Sequence, residues 1–330
     1  MTSAESTRST GSANKNIVVL GGTGFVGQAL CEKLVQRSGG GGGRIVVPTR
    51  RLRRGIAVQS LPTVELVPAN VHDDQQLAQA LAGADAVVNL VAILHGSRSA
   101  FEQVHVALPR RLVAAAQAAG VRRVVHVSAL GVGPDAPSNY LRSKTAGEAL
   151  LLASGLDVTV LRPSVIFGAG DRFLNLFAQI QAVFPLLPLA AASAQFQPVW
   201  VGDVAAAIVH SLDHDASIGE IYECAGPQTM TLADLVRLAG RCSGHARPVI
   251  PLPGFIGRLQ ALLMEWAPGE PLMSRDNLDS MKQPNVASGK LPGLAALGID
   301  AASLDAIAPA YLGQRQGTAR LERWRARQAQ

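Results

Sequence analysis

Between Glu32 and Glu65 this chain has no acidic residue. Charge is scarce throughout: Asp, Glu, Lys and Arg make up 16% of the 330 residues, while 48% are hydrophobic. Such a composition excludes disorder over most of the chain and supplies a large core for one or two domains. Cysteine is nearly absent. Cys31, Cys224 and Cys242 are scattered and odd in number, which suits a reducing compartment and gives no disulfide framework. Neither they nor His72, His95, His105, His126 and His210 show metal-ligand spacing, so no metal is expected. No apolar run reaches the roughly 18 residues of a spanning helix. The richest, Ala182 to Ala192, is broken by Pro185 and Pro188. A cytoplasmic protein is expected, with a peripheral position at the inner membrane as the alternative.

The net charge is +6, but much of it sits after Gln314. There Arg315, Arg320, Arg323, Arg325 and Arg327 face one acid, Glu322. The body is nearly neutral, and no nucleic-acid groove is indicated. In that tail Leu321 and Trp324 share one helical face, which fits either an anionic membrane surface or a solvated terminus. Residues 1–15 are polar, lack the apolar stretch of a secretory signal, and read as a disordered leader.

The chain is organised around Gly21-Gly22-Thr23-Gly24-Phe25-Val26-Gly27. The β-branched run Asn16-Ile17-Val18-Val19-Leu20 precedes it, and a segment of helical periodicity follows from Gln28. A strand, a glycine turn and a helix in that order open a dinucleotide-binding βαβ unit. Gly21 allows the tight exit from the strand. Gly24 allows close approach of a pyrophosphate, and Gly27 allows the helix to pack. The free N–H groups of the helix start then face the phosphates.

Further strands are expected at 44–47, 64–67, 86–91, 123–128 and 157–161, with helices between them starting at Asp73-Asp74, Phe101 and Ser138. Phe101 to Ala119 reads as one long helix. Short loops and strict alternation predict an α/β Rossmann-type, doubly wound parallel sheet over residues 16–164. A smaller lobe is expected over 165–313, returning one strand at about 220–224 to the main sheet. Thr231 to Asp234 reads as a capping box, and Asp203 as a helix cap. Asp171 and Arg172 read as a local pair.

Two groups of residues carry chemistry. An acid about 20 residues past the glycine turn would hold a ribose 2′-hydroxyl. Here the second strand ends instead in arginines, with Arg50 the first candidate and Arg51 the second for a 2′-phosphate. NADP(H) is therefore preferred over NAD(H). The second group is Tyr140 and Lys144, one turn apart on a helix that follows a strand ending at Ser128. In open α/β sheets ligands lie at the carboxyl ends of strands. A lysine ammonium near the tyrosine is expected to favour its phenolate, making Tyr140 a proton donor and acceptor while Ser128 holds a substrate oxygen.

These residues resemble the atypical, or extended, short-chain dehydrogenase/reductase superfamily, although its sugar-nucleotide epimerases usually carry Thr where this chain has Leu20. Four stretches narrow the likeness: Arg162 to Gly168, Asp171 to Asn175, Gln197 to Ala205, and the run from Arg275-Asp276-Asn277-Leu278. Together they resemble the NAD(P)H-binding accessory-subunit family of respiratory complex I and its stand-alone bacterial relatives. The resemblance implies a Rossmann fold holding NADPH. It implies cofactor contacts at Thr23, Phe25 and Val26, at Asn70 and Val71 near the adenine, at Leu90, Val91 and Ala92 past the ribose, and at Pro163, Ser164 and Val165 near the nicotinamide. Asn70 replaces an Asp common in relatives. An oxidoreductase acting on a carbonyl, alcohol or lipid-like substrate is the first expectation. A non-catalytic NADPH-holding factor of a respiratory or quinone-related membrane complex is the second, and a sugar-nucleotide epimerase or dehydratase the third.

Overall fold

The computed structural model describes residues 15–266 and 273–313. The polar leader and the basic tail with Leu321 and Trp324 lie outside the described residues, apart from Lys15.

The first lobe alternates strand and helix: β1 (Ile17–Leu20), α1 (Phe25–Arg37), β2 (Ile45–Thr49), α2 (Ile56–Gln59), β3 (Val64–Pro68), α3 (Asp74–Leu81) and β4 (Ala86–Asn89). It continues through α4 (Arg98–Glu102), α5 (Leu108–Ala119), β5 (Arg123–Val127), α6 (Asn139–Leu152) and β6 (Asp157–Pro163). Short elements follow: β7 (Ile166–Phe167), α7 (Leu174–Val183), β8 (Leu187–Leu189), β9 (Gln195–Phe196) and β10 (Val199–Trp200). Then come α8 (Val201–Asp213), β11 (Ile221–Cys224), β12 (Met230–Thr231), α9 (Leu232–Cys242), β13 (Val249–Pro251), α10 (Gly254–Trp266), α11 (Arg275–Ser280) and α12 (Leu304–Leu312).

The main sheet has seven parallel strands in the order β11-β6-β5-β4-β1-β2-β3. All four residues of β1 and of β4 are buried, as a central strand covered on both faces requires. One face packs Val19, Val47 and Val88 against Leu30 and Leu34 of α1 and Val204 and Ile208 of α8. The other packs Leu20 and Val87 against Leu77 of α3 and Leu112 of α5. The chain winds outward from β1 through β2 to β3, then returns to the other side of β1 at β4. The gap between the ends of β1 and β4 is therefore the topological switch point.

A separate core, with Phe177 of α7, Leu235 of α9 and Leu304 of α12, forms the second lobe. Both α8 and β11 lie with the first lobe. Helix α8 packs on α1, tied by Arg37 Nη1 to Asp213 Oδ1 at 2.7 Å.

Two local expectations change. The segment 101–119 is not one helix: Gln103–Ala107 forms a π turn between α4 and α5. Pro109 sits at the start of α5 and has no N–H for the carbonyl of His105, so a regular α-turn cannot close there. Thr231 caps α9: its Oγ1 accepts the N–H of Asp234 at 3.2 Å, and its hydroxyl donates to Asp234 Oδ2 at 2.6 Å. Asp203 lies inside the first turn of α8, which Trp200 caps, and accepts the N–H of Ala302 at 2.8 Å.

Candidate functional site

At the switch point, Gly21 has φ +86, a left-handed conformation that favours glycine. A Cβ on it would lie 3.3 Å from Leu90, so the ends of β1 and β4 meet here. A Cβ on Gly27 would overlap Gly21 O and the backbone of Gly22, so the first turn of α1 folds tightly onto the loop. Gly24, exposed, is the N-cap of α1 and brings no side-chain cap. The first N–H groups of α1 thus have no capping oxygen, the arrangement an anion takes. Gln28 Nε2 donates to Thr23 O at 3.1 Å and steadies the loop. Val26 is half-buried, and Phe25 reaches Gly168, where a Cβ would stand 3.3 Å from its ring.

The remaining cofactor candidates fall around this loop. Val91 donates its N–H to Asn89 Oδ1 at 3.2 Å, and Ala92 beyond it is exposed. Asn70 Oδ1 accepts the N–H of His72 at 3.2 Å, so its carbonyl oxygen is used inside the loop; Val71 is half-buried beside it. Arg50 and Arg51 are exposed at the end of β2. Burial first, then the charges of Arg50 and Arg111, hold His72 below its ordinary range. That edge is therefore electropositive. At the far end, Leu130 donates its N–H to Pro163 O at 2.9 Å. Ser164 Oγ is taken up by Asn285 Oδ1 at 2.7 Å, and the same oxygen accepts the N–H of Val165 at 3.0 Å. Asn285 thus fixes the backbone of this stretch, and the hydroxyl of Ser164 faces protein.

Ser128, Tyr140 and Lys144 lie where β5 meets α6. Lys144 is buried, and its Nζ donates to Val127 O at 2.7 Å, which pins α6 to the end of β5. Burial lowers the ammonium to about 8, with Glu148 opposing the shift. Ser128 is 4% exposed, and its Oγ has no hydrogen-bond partner. A buried hydroxyl left alone is costly unless a ligand completes it. Tyr140 packs edge-on against His105, with ring centroids 5.5 Å apart, and against Phe101 at 6.1 Å. Burial pushes its phenol up to about 12. This is opposite to the lowering expected from Lys144: the cost of burying the phenolate prevails.

Three residues have a place at this site that their sequence context does not reveal. His105 fits no metal spacing, so its sequence context gives it no role. Here its Nε2 accepts the N–H of Ile93 at 3.2 Å, which assigns the proton to Nδ1, 2.8 Å from Ser143 Oγ. Burial and then the Lys144 charge push this ring down to about 3, so it is neutral at physiological pH. His126, also kept well below its ordinary range by burial, is met by Asn89 Nδ2 at 3.2 Å. Asp276 comes from α11. Its carboxylate accepts the N–H of Asn139 at 2.8 Å and of Tyr140 at 3.0 Å, capping α6 from the second lobe. Asn277 Nδ2 donates to Leu94 O at 3.2 Å, and Ser280 Oγ to Ser138 Oγ at 2.8 Å. The run from Arg275 is thus a clamp between the lobes.

Asp171 is a scaffold residue. It accepts the N–H groups of Gly168, Phe173 and Asn175 and the hydroxyl of Tyr311, the last at 2.9 Å. Among the described residues, no group of three or more His, Cys, Asp or Glu is placed to hold a metal.

A nicotinamide dinucleotide fits these residues. The loop presents capless amides at the switch point, and the orphaned Ser128 hydroxyl waits at the strand end.

The chain is similar to known proteins. The chain is 30% identical over 297 residues to the mouse (Mus musculus) mitochondrial NADH dehydrogenase [ubiquinone] 1 alpha subcomplex subunit 9, an alignment covering 87% of this chain and 77% of that one. It is 30% identical over 198 residues to a ceramide reductase of Caulobacter vibrioides, covering 58% of this chain and 59% of that one. The fold matches that of MoeE5 in complex with UDP-glucose and NAD, with a TM-score of 0.67 and 19% identity over 90% of this chain and 97% of that one. Residues 17–225 match the sequence profile of the NAD dependent epimerase/dehydratase family. The chain belongs to that family, within the extended short-chain dehydrogenase/reductase superfamily of NAD(P)-binding Rossmann proteins.

Proposed function

We propose that this protein is an NADP(H)-dependent reductase of the short-chain type, with Tyr140 as its proton donor. The observation that carries the reading is the buried, unpartnered hydroxyl of Ser128, one residue beyond the carbonyl that Lys144 holds. When bound, the nicotinamide supplies or accepts the hydride. Ser128 Oγ donates a hydrogen bond to the substrate carbonyl oxygen, and Tyr140 Oη passes its proton to that same oxygen, leaving an alcohol. A phenol raised to about 12 keeps its proton at neutral pH, which suits the direction from carbonyl to alcohol. The Lys144 ammonium steadies the phenolate left behind. Asp276 is a positioning residue, because it holds the backbone of Tyr140 and not the phenol.

Gly21, Gly24 and Gly27 would let the diphosphate approach the loop amides, with Thr23, Phe25, Val26, Leu90, Val91, Ala92, Asn70 and Val71 lining the adenosine half. Pro163, Ser164 and Val165 would border the nicotinamide through their backbone. Arg50 and Arg51 support NADP(H) over NAD(H): they are exposed on an electropositive edge, and no acid stands at the strand end. Titration with both nucleotides tests this. NADPH should bind at least about tenfold tighter than NADH, and Arg50→Ala with Arg51→Ala should remove the difference by weakening NADPH alone. Equal affinities in the unaltered protein would overturn the preference.

The likeness to the mouse subunit over 87% of this chain favours a second reading. In it the nucleotide is held without turnover, and the protein serves a respiratory or quinone-related membrane complex. Co-purification with such a complex, together with NADPH that no carbonyl oxidises, would select it over the first.

A further inference from the structure

Helix α10 faces the reverse way for a surface in water. Its buried residues are Gly257 and Ala261, while its large apolar residues point outward. Phe255 is 77% exposed, Leu259 56%, Leu263 60% and Trp266 79%. Steps of four, four and three residues set them on one stripe. The small face seats the helix: a Cβ on Gly257 would come within 2.7 Å of Ala190 Cβ. Apolar residues are exposed elsewhere in this lobe. Phe184 and Leu186, which lead into β8, and Ile250 of the paired strand β13 are exposed as well. An exposed apolar stripe of this kind marks an interaction surface.

Charge at the rim identifies the occupant. Arg247 is exposed, and its Nε donates to Gln181 O at 3.1 Å, which sets the guanidinium beside the end of α7. Arg258 on α10 is exposed too, with its Nη2 3.6 Å from Asp279 Oδ1. The nearby acids are engaged: Glu265 pairs with Arg275 at 2.9 Å, and Asp279 with Lys282 at 2.7 Å. The chain past Gly313 carries five arginines and one glutamate. It starts beside Cys242, whose carbonyl oxygen would lie 3.6 Å from a Cβ on Gly313, and residues 243–248 lead from there straight to β13. The root of the basic segment therefore lies one short connection from β13, the strand that carries Ile250. A second copy would set arginine against arginine. An apolar stripe ending in tryptophan and rimmed by arginine is the chemistry of a helix lying in an anionic lipid interface.

We propose that α10, with the flanking apolar residues of the second lobe, docks this protein on an anionic bilayer. Phe255, Leu259, Leu263 and Trp266 enter the interface, and the arginines meet lipid phosphates. This is independent of the nicotinamide reading, since neither the glycine loop nor Tyr140 takes part.

The test mixes the full chain with vesicles of phosphatidylglycerol and phosphatidylcholine in equal parts, and with vesicles of phosphatidylcholine alone. Flotation and tryptophan emission are read. The protein should float with the mixed vesicles, bind more weakly to phosphatidylcholine alone, and shift its emission to shorter wavelength. Combined Phe255→Ser, Leu259→Ser and Leu263→Ser should weaken binding roughly 100-fold with an unchanged melting temperature, because all three side chains are already exposed. Trp266→Phe should abolish the emission shift, and Trp324→Phe should leave it. Loss of the shift in Trp324→Phe instead would assign the contact to the basic segment and overturn the proposal. So would failure to float, or a dimer that the triple substitution dissolves in the absence of vesicle binding.

Discussion

The carboxylate of Asp276 accepts the backbone N–H of Tyr140 at 3.0 Å, across 136 residues of chain. The first turn of α6 is thereby capped by the second lobe. Ser138 supplies the local cap at Leu141, 3.1 Å away, and Asp276 satisfies the two donors before it. A negative group at a helix start also meets the positive end of the dipole. Asp276→Ala should lower stability by about 1–2 kcal/mol, and Asp276→Asn, which keeps one acceptor oxygen, by less. Thermal unfolding of the three proteins measures this. Equal melting temperatures would mean that the clamp does not hold α6.

Lys144 gives a pH prediction. Its ordinary value of 10.5 falls to about 8 in the fold because burial disfavours the ammonium. Between those values the folded chain binds fewer protons than the unfolded chain, so this group's contribution to stability rises with pH across that window and is level below it. Turnover that needs the ammonium runs the other way. The pH profile of kcat/KM should fall above about 8, since that ratio reports the free enzyme. A profile level well beyond pH 8 would remove Lys144 from the proton step.

The π turn makes a separate prediction. A Cβ on Gly147 would overlap His105 O, the carbonyl that Pro109 cannot bond. Glycine at 147 is what allows α6 to approach the turn, and the turn carries the His105 ring that Tyr140 packs on. Gly147→Ala should cost about 1–3 kcal/mol by overpacking. It should also disturb Tyr140, seen as altered protection of amides at the start of α6. An alanine variant as stable as the original would show that the approach is loose.

The doubly wound sheet was legible because its signals are local. The β-branched run at 17–20, the glycines at 21–27 and the short αβ loops each announce themselves within a few residues. The helix carrying Tyr140 and Lys144 was legible for the same reason. The break in the helix at 103–107 was not, although Pro109 marked it: a proline near a helix start reads equally well as an ordinary first turn. Asp276 and Asn285 were invisible as site builders because their partners lie more than a hundred residues away. The raised phenol of Tyr140 was hidden too. Spacing showed that Lys144 shares its face, but only the fold shows that the cost of burying the phenolate prevails.

The phenol of Tyr140 is the centre of the account, and Tyr140→Phe tests it most directly. NADPH is bound to the unaltered protein and to the variant, carbonyl compounds are added, and nucleotide oxidation is followed in a single turnover. The account predicts unchanged NADPH affinity and a rate about 100- to 10,000-fold lower in the variant, the usual worth of a positioned proton donor. Oxidation at the same rate in both proteins would contradict it.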